Sequence, residues 1–490
     1  MQMINTLKPF SEFRNKESKY YLLPFNFKSF LSDHELLINF SGDFLIVESG
    51  TADRIVKREI TVDDDIYPDL VSNYFISEKQ YPSLLDILAT KYRTKKSFLD
   101  EFTALHIFVL TLRCNHACKY CQVSSVESRT PDSHDISYEN LDYSIGKMFQ
   151  TPARNITMEF QGGEPLLIFE KLKYAVEQAK TLNETHNKNI SYVLCSNSTL
   201  LTDEILEYMK ANSILLSTSL DGPELIHNGN RIFQKNDSYQ TTISHMKRAK
   251  EILGVDRVSA LMTTTKLSLN NPEKIIDSYI ENGFSSIFFR SINPYGEALT
   301  DSIANYSMDE FIQFYKRGLD YIIELNKRGI FFVEEYAGII LKKILTPFTT
   351  GFVDLQSPSG IINGVIVYNY DGYVYASDES RMLAEKGDYY FRLGHVKDDY
   401  SSIFYSEKVV DIAKHWANEA LAGCSDCCYQ IYCGTDPVRN YSTQGDLEGF
   451  RPTSDFCNKN MSIIDYLFEL MYQDEEVFQI FQRWISKKDN

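Results

Sequence analysis

Between about residues 104 and 330 the chain alternates short apolar stretches with longer amphipathic ones, and this alternation restricts its fold more than any other feature. IFVLTL precedes SYENLDYSIGKMFQ, NITMEFQ precedes IFEKLKYAVEQAKTL, and NISYVLCS precedes TDEILEYMKAN. ILLSTSLD then precedes SYQTTISHMKRAKEIL, RVSALMTT precedes NPEKIIDSYIENG, and SSIFFRSI precedes MDEFIQFYKRGLDYIIELNKR. Strand-sized runs separated by helix-sized ones connect parallel strands through helical crossovers. The expected class is therefore α/β, a partial (β/α)6 TIM-like barrel whose functional rim is built from the loops after the strand C-termini.

The flanks read differently. Residues 1–100, with YYLLPFNF, ELLINF and GDFLIVE as strand pieces and SLLDILATKYRTK as a helix, make a small N-terminal α+β unit. Residues 350–465 are rich in Gly, Ser and Tyr and hold a hairpin, GVIVYNYDGYVYAS, around Asp371-Gly372; residues 466–490 make a C-terminal helix. With 490 residues and 43% hydrophobic content the chain can bury more than one core. No apolar run approaches the roughly 18–20 residues of a bilayer span, and MQMINTLKPFSEF carries no signal-peptide pattern, so the expected location is the cytoplasm, away from membrane. A formal charge of −17 argues against nucleic acid or an anionic membrane surface as the partner and suits a neutral or basic polypeptide.

The nine cysteines are absent from the first 113 residues and fall mostly in two groups, which in a long cytosolic chain read as metal or redox sites rather than disulfides. TLRCNHACKYCQ places Cys114, Cys118 and Cys121 at CxxxCxxC spacing on the loop after the first strand. Three thiolates on one loop can hold three corners of an iron-sulfur cube and leave the fourth iron open for chemistry, whereas zinc would need a fourth ligand beside them. GCSDCCYQIYCGTDP places Cys424, Cys427 and Cys433 at C-x2-C-x5-C spacing, with Cys457 following in SDFCNKN. Four thiolates can close the coordination of a cluster or a zinc ion. Cys428 is left as a spare thiol and Cys195 as a buried small hydrophobe.

The first triplet, with Tyr120 just before its third cysteine, resembles the signature of the radical S-adenosylmethionine (radical SAM) enzymes. The resemblance implies that Cys114, Cys118 and Cys121 hold a 4Fe-4S cluster whose open iron chelates S-adenosylmethionine, with Tyr120 against the adenine. It implies that Gly162, Gly163 and Glu164 of QGGEP hold the methionine ammonium. Asn197 in CSNSTLLT and Ser219 in STSLDGP resemble ribose and carboxylate contacts, and Arg231 in HNGNRIF would pair with the cofactor carboxylate. For Asn197, Ser219 and Arg231 a capping or solvated polar role is the alternative. Cys424, Cys427, Cys433 and Cys457 resemble the auxiliary 4Fe-4S ligands of the C-terminal SPASM-like iron-sulfur domain of peptide-modifying members. A further SPASM cluster would need cysteines where this chain has Ser377 and Pro437, so the expectation is two clusters. Asp378 matches a family aspartate and could take a proton from substrate, or be a surface turn carboxylate.

YYLLPFNF, LHIFVLTLRCNHACKYCQVS, EFQGGEPLL, SLDGPELIHNGNR and CGTDPVRNYSTQGDLEGFRPTSDFCNKNMSII resemble the B-type radical SAM maturases of the His-Xaa-Ser peptide system. That resemblance implies a ribosomally made precursor peptide as substrate and a reducing electron donor such as flavodoxin or ferredoxin. Related maturases form crosslinks or epimerise residues and the resemblance does not choose among them, an intrapeptide crosslink being the product expected here. The N-terminal unit would bind the precursor as an added strand, or act as a plain structural cap. Two other readings stay open: single-residue oxidation or epimerisation, as in sulfatase maturation, and a non-catalytic protein that binds iron-sulfur clusters or zinc.

Overall fold

The structure, a computed structural model, describes residues 20–79, 82–233, 237–293, 295 and 306–486. The segment read for a targeting signal, residues 1–13, lies outside the described residues, as do positions 487–490. The stretch expected as one C-terminal helix from 466 is instead the end of helix Asp455–Gln473 followed by a second helix, Glu475–Ser486. The chain divides into two compact units, residues 1–95 with 426–431, and residues 96–425 with 432–490. Among the described residues no helix is long and apolar enough to cross a membrane.

The smaller unit is built on an antiparallel meander of β1 (Phe25–Phe30), β2 (His34–Asn39) and β3 (Phe44–Glu48). The central strand carries Leu36, Leu37 and Ile38, all fully buried, so β2 organises the sheet. Helices α1 (Thr51–Lys57) and α2 (Tyr67–Ser72) supply Ile55 and Leu70 to a core that also takes Tyr20, Leu37, Val47 and Phe75. Segment 426–431 belongs here: the Cys428 thiol donates to the Leu36 carbonyl at 3.5 Å, and the Asn26 amide donates to the Cys427 carbonyl at 3.2 Å. Cys428 is thus a buried donor of this unit.

The larger unit contains the expected βα series. Strands β4 (Leu105–Thr111), β5 (Asn155–Gly162), β6 (Asn189–Ser196), β7 (Ile214–Ser219) and β8 (Val258–Leu261) are parallel neighbours. Helices α3 (Tyr138–Gln150), α4 (Phe169–His186), α5 (Asp203–Ala211), α6 (Ser238–Leu253) and α7 (Pro272–Glu281) alternate with them. Ser137, Thr202 and Asp237 start α3, α5 and α6 by accepting a backbone N–H of the first turn, which stops each loop from drifting into helix early. Along β5, Ile156, Met158 and Phe160 are buried. The alternate Glu159 and Gln161 line a cavity on the opposite face, as period two requires.

Two features depart from the sequence reading. The sixth strand is only Ser286–Ile287 and pairs in parallel with Val333–Glu334, outside the main sheet. A single bond from the Thr264 N–H to the Arg290 carbonyl (2.9 Å) ties its extension to the end of β8. At the other edge, the late hairpin joins the barrel sheet. Strand β9 (Val365–Tyr368) pairs in parallel with β4, followed antiparallel by β10 (Tyr373–Tyr375) and β11 (Arg392–His395). The sheet therefore runs β8-β7-β6-β5-β4-β9-β10-β11. Val365 and Val367 are buried with Ile107 and Val109, so β9 protects what would be an apolar edge of β4.

Candidate active site

The triplet loop begins where β4 ends and is anchored by backbone. The Gly163 N–H donates to the Thr111 carbonyl (2.7 Å) and the Glu164 N–H to the Arg113 carbonyl (2.8 Å). A Cβ on Gly163 would lie 2.3 Å from the Arg113 oxygen, and one on Gly162, at φ +135°, 2.2 Å from the Thr111 oxygen. Both positions need glycine because the end of β5 lies directly against the base of the loop. Arg113 makes a forked pair with Asp135 (2.8 and 2.5 Å), and Thr111 donates to the same carboxylate at 2.6 Å.

The loop's far side is stitched by strand pairing. His116–Cys118 runs antiparallel to Arg231–Phe233, with Arg231 opposite Cys118. His116 stacks on Phe233 (4.7 Å between centroids) and shares the Ser238 hydroxyl with His227 at 2.9 and 3.0 Å. The Asn197 side-chain nitrogen reaches the Asn115 carbonyl oxygen (2.7 Å) and His116 Nδ1 (3.0 Å). Burial forces both histidines toward their neutral form, which lets them act as tautomer-matched spacers in this web.

Tyr120, Asp221 and Arg231 form a buried knot beneath the triplet. The Tyr120 hydroxyl lies 2.9 and 2.8 Å from the two Asp221 oxygens, and Arg231 Nη1 donates to the Tyr120 oxygen at 2.5 Å. Burial raises the Asp221 carboxyl, with Arg231 and the Tyr120 hydroxyl opposing that shift.

A cavity of about 580 Å³ joins these parts. Its lining includes Cys114, Cys118, Cys121, Tyr120, Gly162, Gly163, Asn197, Ser219 and Arg231. The same cavity is lined by Glu159, Asp354, Asp378, Glu379, Asp436, Arg290 and Lys459. Cys424, Cys427, Cys433 and Cys457 lie outside its lining, and Glu164, alone among the residues expected around the cofactor, does not line it either. Its fully buried carboxylate accepts from the Ser196 hydroxyl (2.9 Å), the Asn197 N–H (2.9 Å) and the Leu166 N–H (3.0 Å), tying β5 to β6. Gln161, Gly162 and Gly163 are what the QGGEP motif presents to the cavity.

Cys195 is corrected by its strand register: it sits on the cavity face of β6 beside Ser217 of β7, not in the hydrophobic core. Glu159, the alternate polar residue of β5, approaches the same thiol, and burial with the nearby Asp378 charge pushes the Glu159 carboxyl up to about 7. Period two in NITMEFQ and NISYVLCS carried this information. By contrast, Glu379, Asp354, Asp436 and Lys459 come from four separate segments and had no signal in the sequence.

Asp378 opens helix α8 (Asp378–Ala384), where Ser377 caps the first turn, and its carboxylate accepts from Arg381 Nε at 3.1 Å. Cys424, Cys433 and Cys457 belong to the larger unit and Cys427 to the smaller one. Cys457 lies in the first turn of helix α9 (Asp455–Gln473), its N–H held by Ser454. Cys433 stands near Lys343, whose ammonium donates to the Cys433 carbonyl at 3.3 Å. Pro437 starts a separate helix, Pro437–Gln444, capped by Asp436.

The triplet end suits an iron-sulfur group. Burial and neighbouring thiolates push the Cys118 thiol up to about 11 despite Arg231, and Cys114 is shifted further in the same direction. Sulfurs that resist ionisation alone become good ligands when a metal centre supplies the missing positive charge. Among the described residues no three His, Cys, Asp or Glu side chains converge as closely as one metal ion requires, whereas a cluster takes each thiolate at a separate iron.

Comparison with known proteins agrees with this geometry. Residues 108–279 match the model of the Radical SAM superfamily. The chain is 24% identical over 365 residues to the cysteine-type anaerobic sulfatase-maturating enzyme of Clostridium perfringens, covering 72% of this chain and 93% of that protein. It shares its fold with native anSMEcpe with bound AdoMet and Cp18Cys peptide (TM-score 0.61, 20% identity, 77% of this chain and 99% of the other). It also shares its fold with Streptococcus suis SuiB bound to precursor peptide SuiA (TM-score 0.53, 13% identity, 89% and 99%). Members of that superfamily use S-adenosylmethionine and a 4Fe-4S cluster, and residues 108–279 carry the match within a TIM-like α/β fold shared with these structures.

Proposed function

We propose that this protein modifies a ribosomally made precursor peptide, forming an intrapeptide crosslink. The observation that carries the reading is one cavity lined both by three thiols with neighbouring polar groups and by a set of carboxylates. The peptides bound in the two related structures support a polypeptide substrate, which the chain's charge of −17 also favours.

Cys114, Cys118 and Cys121 would hold the cluster, and Gly162 and Gly163 would offer backbone to the methionine part of S-adenosylmethionine. When bound, the cluster and cofactor supply a 5′-deoxyadenosyl radical able to remove a hydrogen atom from a carbon of the peptide. Tyr120, Asn197, Ser219 and Arg231 would orient the nucleoside and carboxylate, and the Asp221 knot would keep Tyr120 and Arg231 in one conformation. Leu105, Ile107, Leu261 and Phe288 also line the cavity and would exclude water from the reacting carbon. Cys424, Cys427, Cys433 and Cys457 would hold an auxiliary 4Fe-4S cluster. The smaller unit, whose β1 and β3 are edge strands, would take the precursor's leading segment as an added strand, and a flavodoxin or ferredoxin would deliver electrons.

The test is anaerobic reconstitution, iron and sulfide counts, and mass spectrometry of short peptides encoded beside the gene after incubation with S-adenosylmethionine and dithionite. About eight irons, falling to about four in a C114A/C118A/C121A variant that forms no 5′-deoxyadenosine, is the expected result. A peptide that loses two hydrogens with two residues linked on fragmentation supports the crosslink. The same loss confined to one residue favours the second reading, single-residue oxidation, which the 93% coverage of the sulfatase-maturating enzyme supports. Zinc instead of iron, or an intact cluster that cleaves no cofactor, would sink both.

A further inference from the structure

The aspartate expected to take the substrate proton is already occupied. Arg381 is fully buried, its Nε donates to Asp378 at 3.1 Å, and its other anionic neighbour, Glu385, is no closer than 3.7 Å. Asp378 is thus the main counter-charge of a buried guanidinium, and its carboxylate is already engaged.

Its neighbour on the same turn of α8 is placed differently. Glu379 also lines the cavity, yet among the described residues its carboxylate makes no hydrogen bond, and the groups it faces are mostly anions. Asp354, from a short turn after the barrel, Asp378 on its own helix, and Asp436, which caps the helix beginning at Pro437, all surround it. Arg290 is the nearest opposing cation; Lys459, from α9, faces Asp354 and Asp436, and Arg439 gives its backbone N–H to Asp436 and its guanidinium to Asn293. Burial and those three anions raise its carboxyl to about 8, so a proton placed there is held at neutral pH. Of the other raised carboxyls of the cavity, Glu159 is tied to the Cys195 thiol and Asp436 accepts the Arg439 backbone N–H as the cap of the helix beginning at Pro437.

We propose that Glu379, not Asp378, is the catalytic residue that accepts the substrate proton, with the Asp378–Arg381 pair acting as a fixed anion that positions it. The proposal rests on the peptide-modifying reading above. For a crosslink the peptide loses one hydrogen atom from carbon to the cofactor-derived radical. It then loses one electron to an iron-sulfur acceptor and one proton from the partner atom to Glu379, and a single new bond joins carbon and partner. The neutral carboxylic acid returns its proton to solvent before the next turnover.

The experiment has two arms on the full-length chain. In the first, infrared difference spectra of the reconstituted protein are recorded while pH is stepped from 6 to 10, without peptide. Wild type is expected to show a protonated-carboxyl band that titrates near 8 and is missing in E379Q but present in D378N. The band surviving in E379Q overturns the proposal. In the second, product formed per 5′-deoxyadenosine is measured with the peptide that wild type modifies in the assay above. E379Q is expected to lower that ratio tenfold or more and to abolish an acid limb that rises to a plateau above about pH 8, while E379D restores part of both. E379Q with an unchanged ratio, while D378N or E159Q loses it, overturns the role of Glu379 alone. Wild type that cleaves no cofactor overturns the maturase reading and this role with it, and the infrared arm still reports where the buried proton sits.

Discussion

At the scale of single residues, the site depends on a few polar groups whose partners are all inside the protein. The Tyr120 hydroxyl sits between Asp221 and Arg231, so Tyr120→Phe leaves a buried anion and a buried cation short of a shared partner. A loss of about 1–3 kcal/mol in denaturant unfolding is expected. Asp221→Asn, which leaves Arg231 without its anion, should cost more, about 3–5 kcal/mol by the same measurement. Glu159 gives a pH signature. In the folded protein it holds its proton up to about 7, whereas the unfolded chain releases it near 4.5. The stabilisation is complete below about 4.5 and fades as pH rises through 7. Glu159→Gln removes that dependence, so its Tm should gain on wild type between pH 4.5 and 8, by the equivalent of roughly 2–3 kcal/mol. A constant Tm difference across the window would show that Glu159 titrates normally.

At the scale of elements, the meeting of β5 with the cysteine loop is the joint that the chemistry depends on. Gly163→Ala puts a methyl 2.3 Å from a backbone oxygen, and no side chain there can rotate away. The strand end must retreat, with a stability loss of about 2–3 kcal/mol and a fall in iron retained by the triplet, read by unfolding and by metal analysis. Gly146→Ala in α3 is the contrasting case, because nothing lies within 4 Å of its new methyl. It should stabilise by about 0.5–1 kcal/mol with iron content unchanged. The sheet edge shows the same economy: β9 covers β4 with Val365 and Val367, so the late hairpin is a structural part of the barrel unit as well as the carrier of α8.

At the scale of the whole molecule, the two units have separate cores. Leu37 is fully buried among Val47, Ile55 and Phe75 in the smaller unit, and Leu37→Ala should cost about 2–5 kcal/mol there. Calorimetry is expected to show a lowered transition for that unit, with the transition of the larger unit at its wild-type temperature. A single transition shifting as one would mean the two unfold together.

Much of the barrel was legible because its signals are local. Period-two strands, capped helices and glycines at a close approach each depend on neighbours a few residues away, and NISYVLCS and SYQTTISHMKRAKEIL became the β6 and α6 whose bounds they suggest. The CxxxCxxC spacing likewise placed three thiols on one loop, since short separations confine side chains to one neighbourhood. Residues meeting across large separations were not legible. Arg381 neutralises Asp378 from within one helix turn, but the cavity wall around Glu379 is assembled from positions 290, 354 and 436, and β9 reaches β4 across more than 200 residues. The sequence by itself determined the strands, helices and thiol triplet, because local sterics, hydrogen bonding and spacing decide those. Only the tertiary structure decided which carboxylate is paired and which is left to hold a proton, because that depends on the charges that folding brings to the same buried wall.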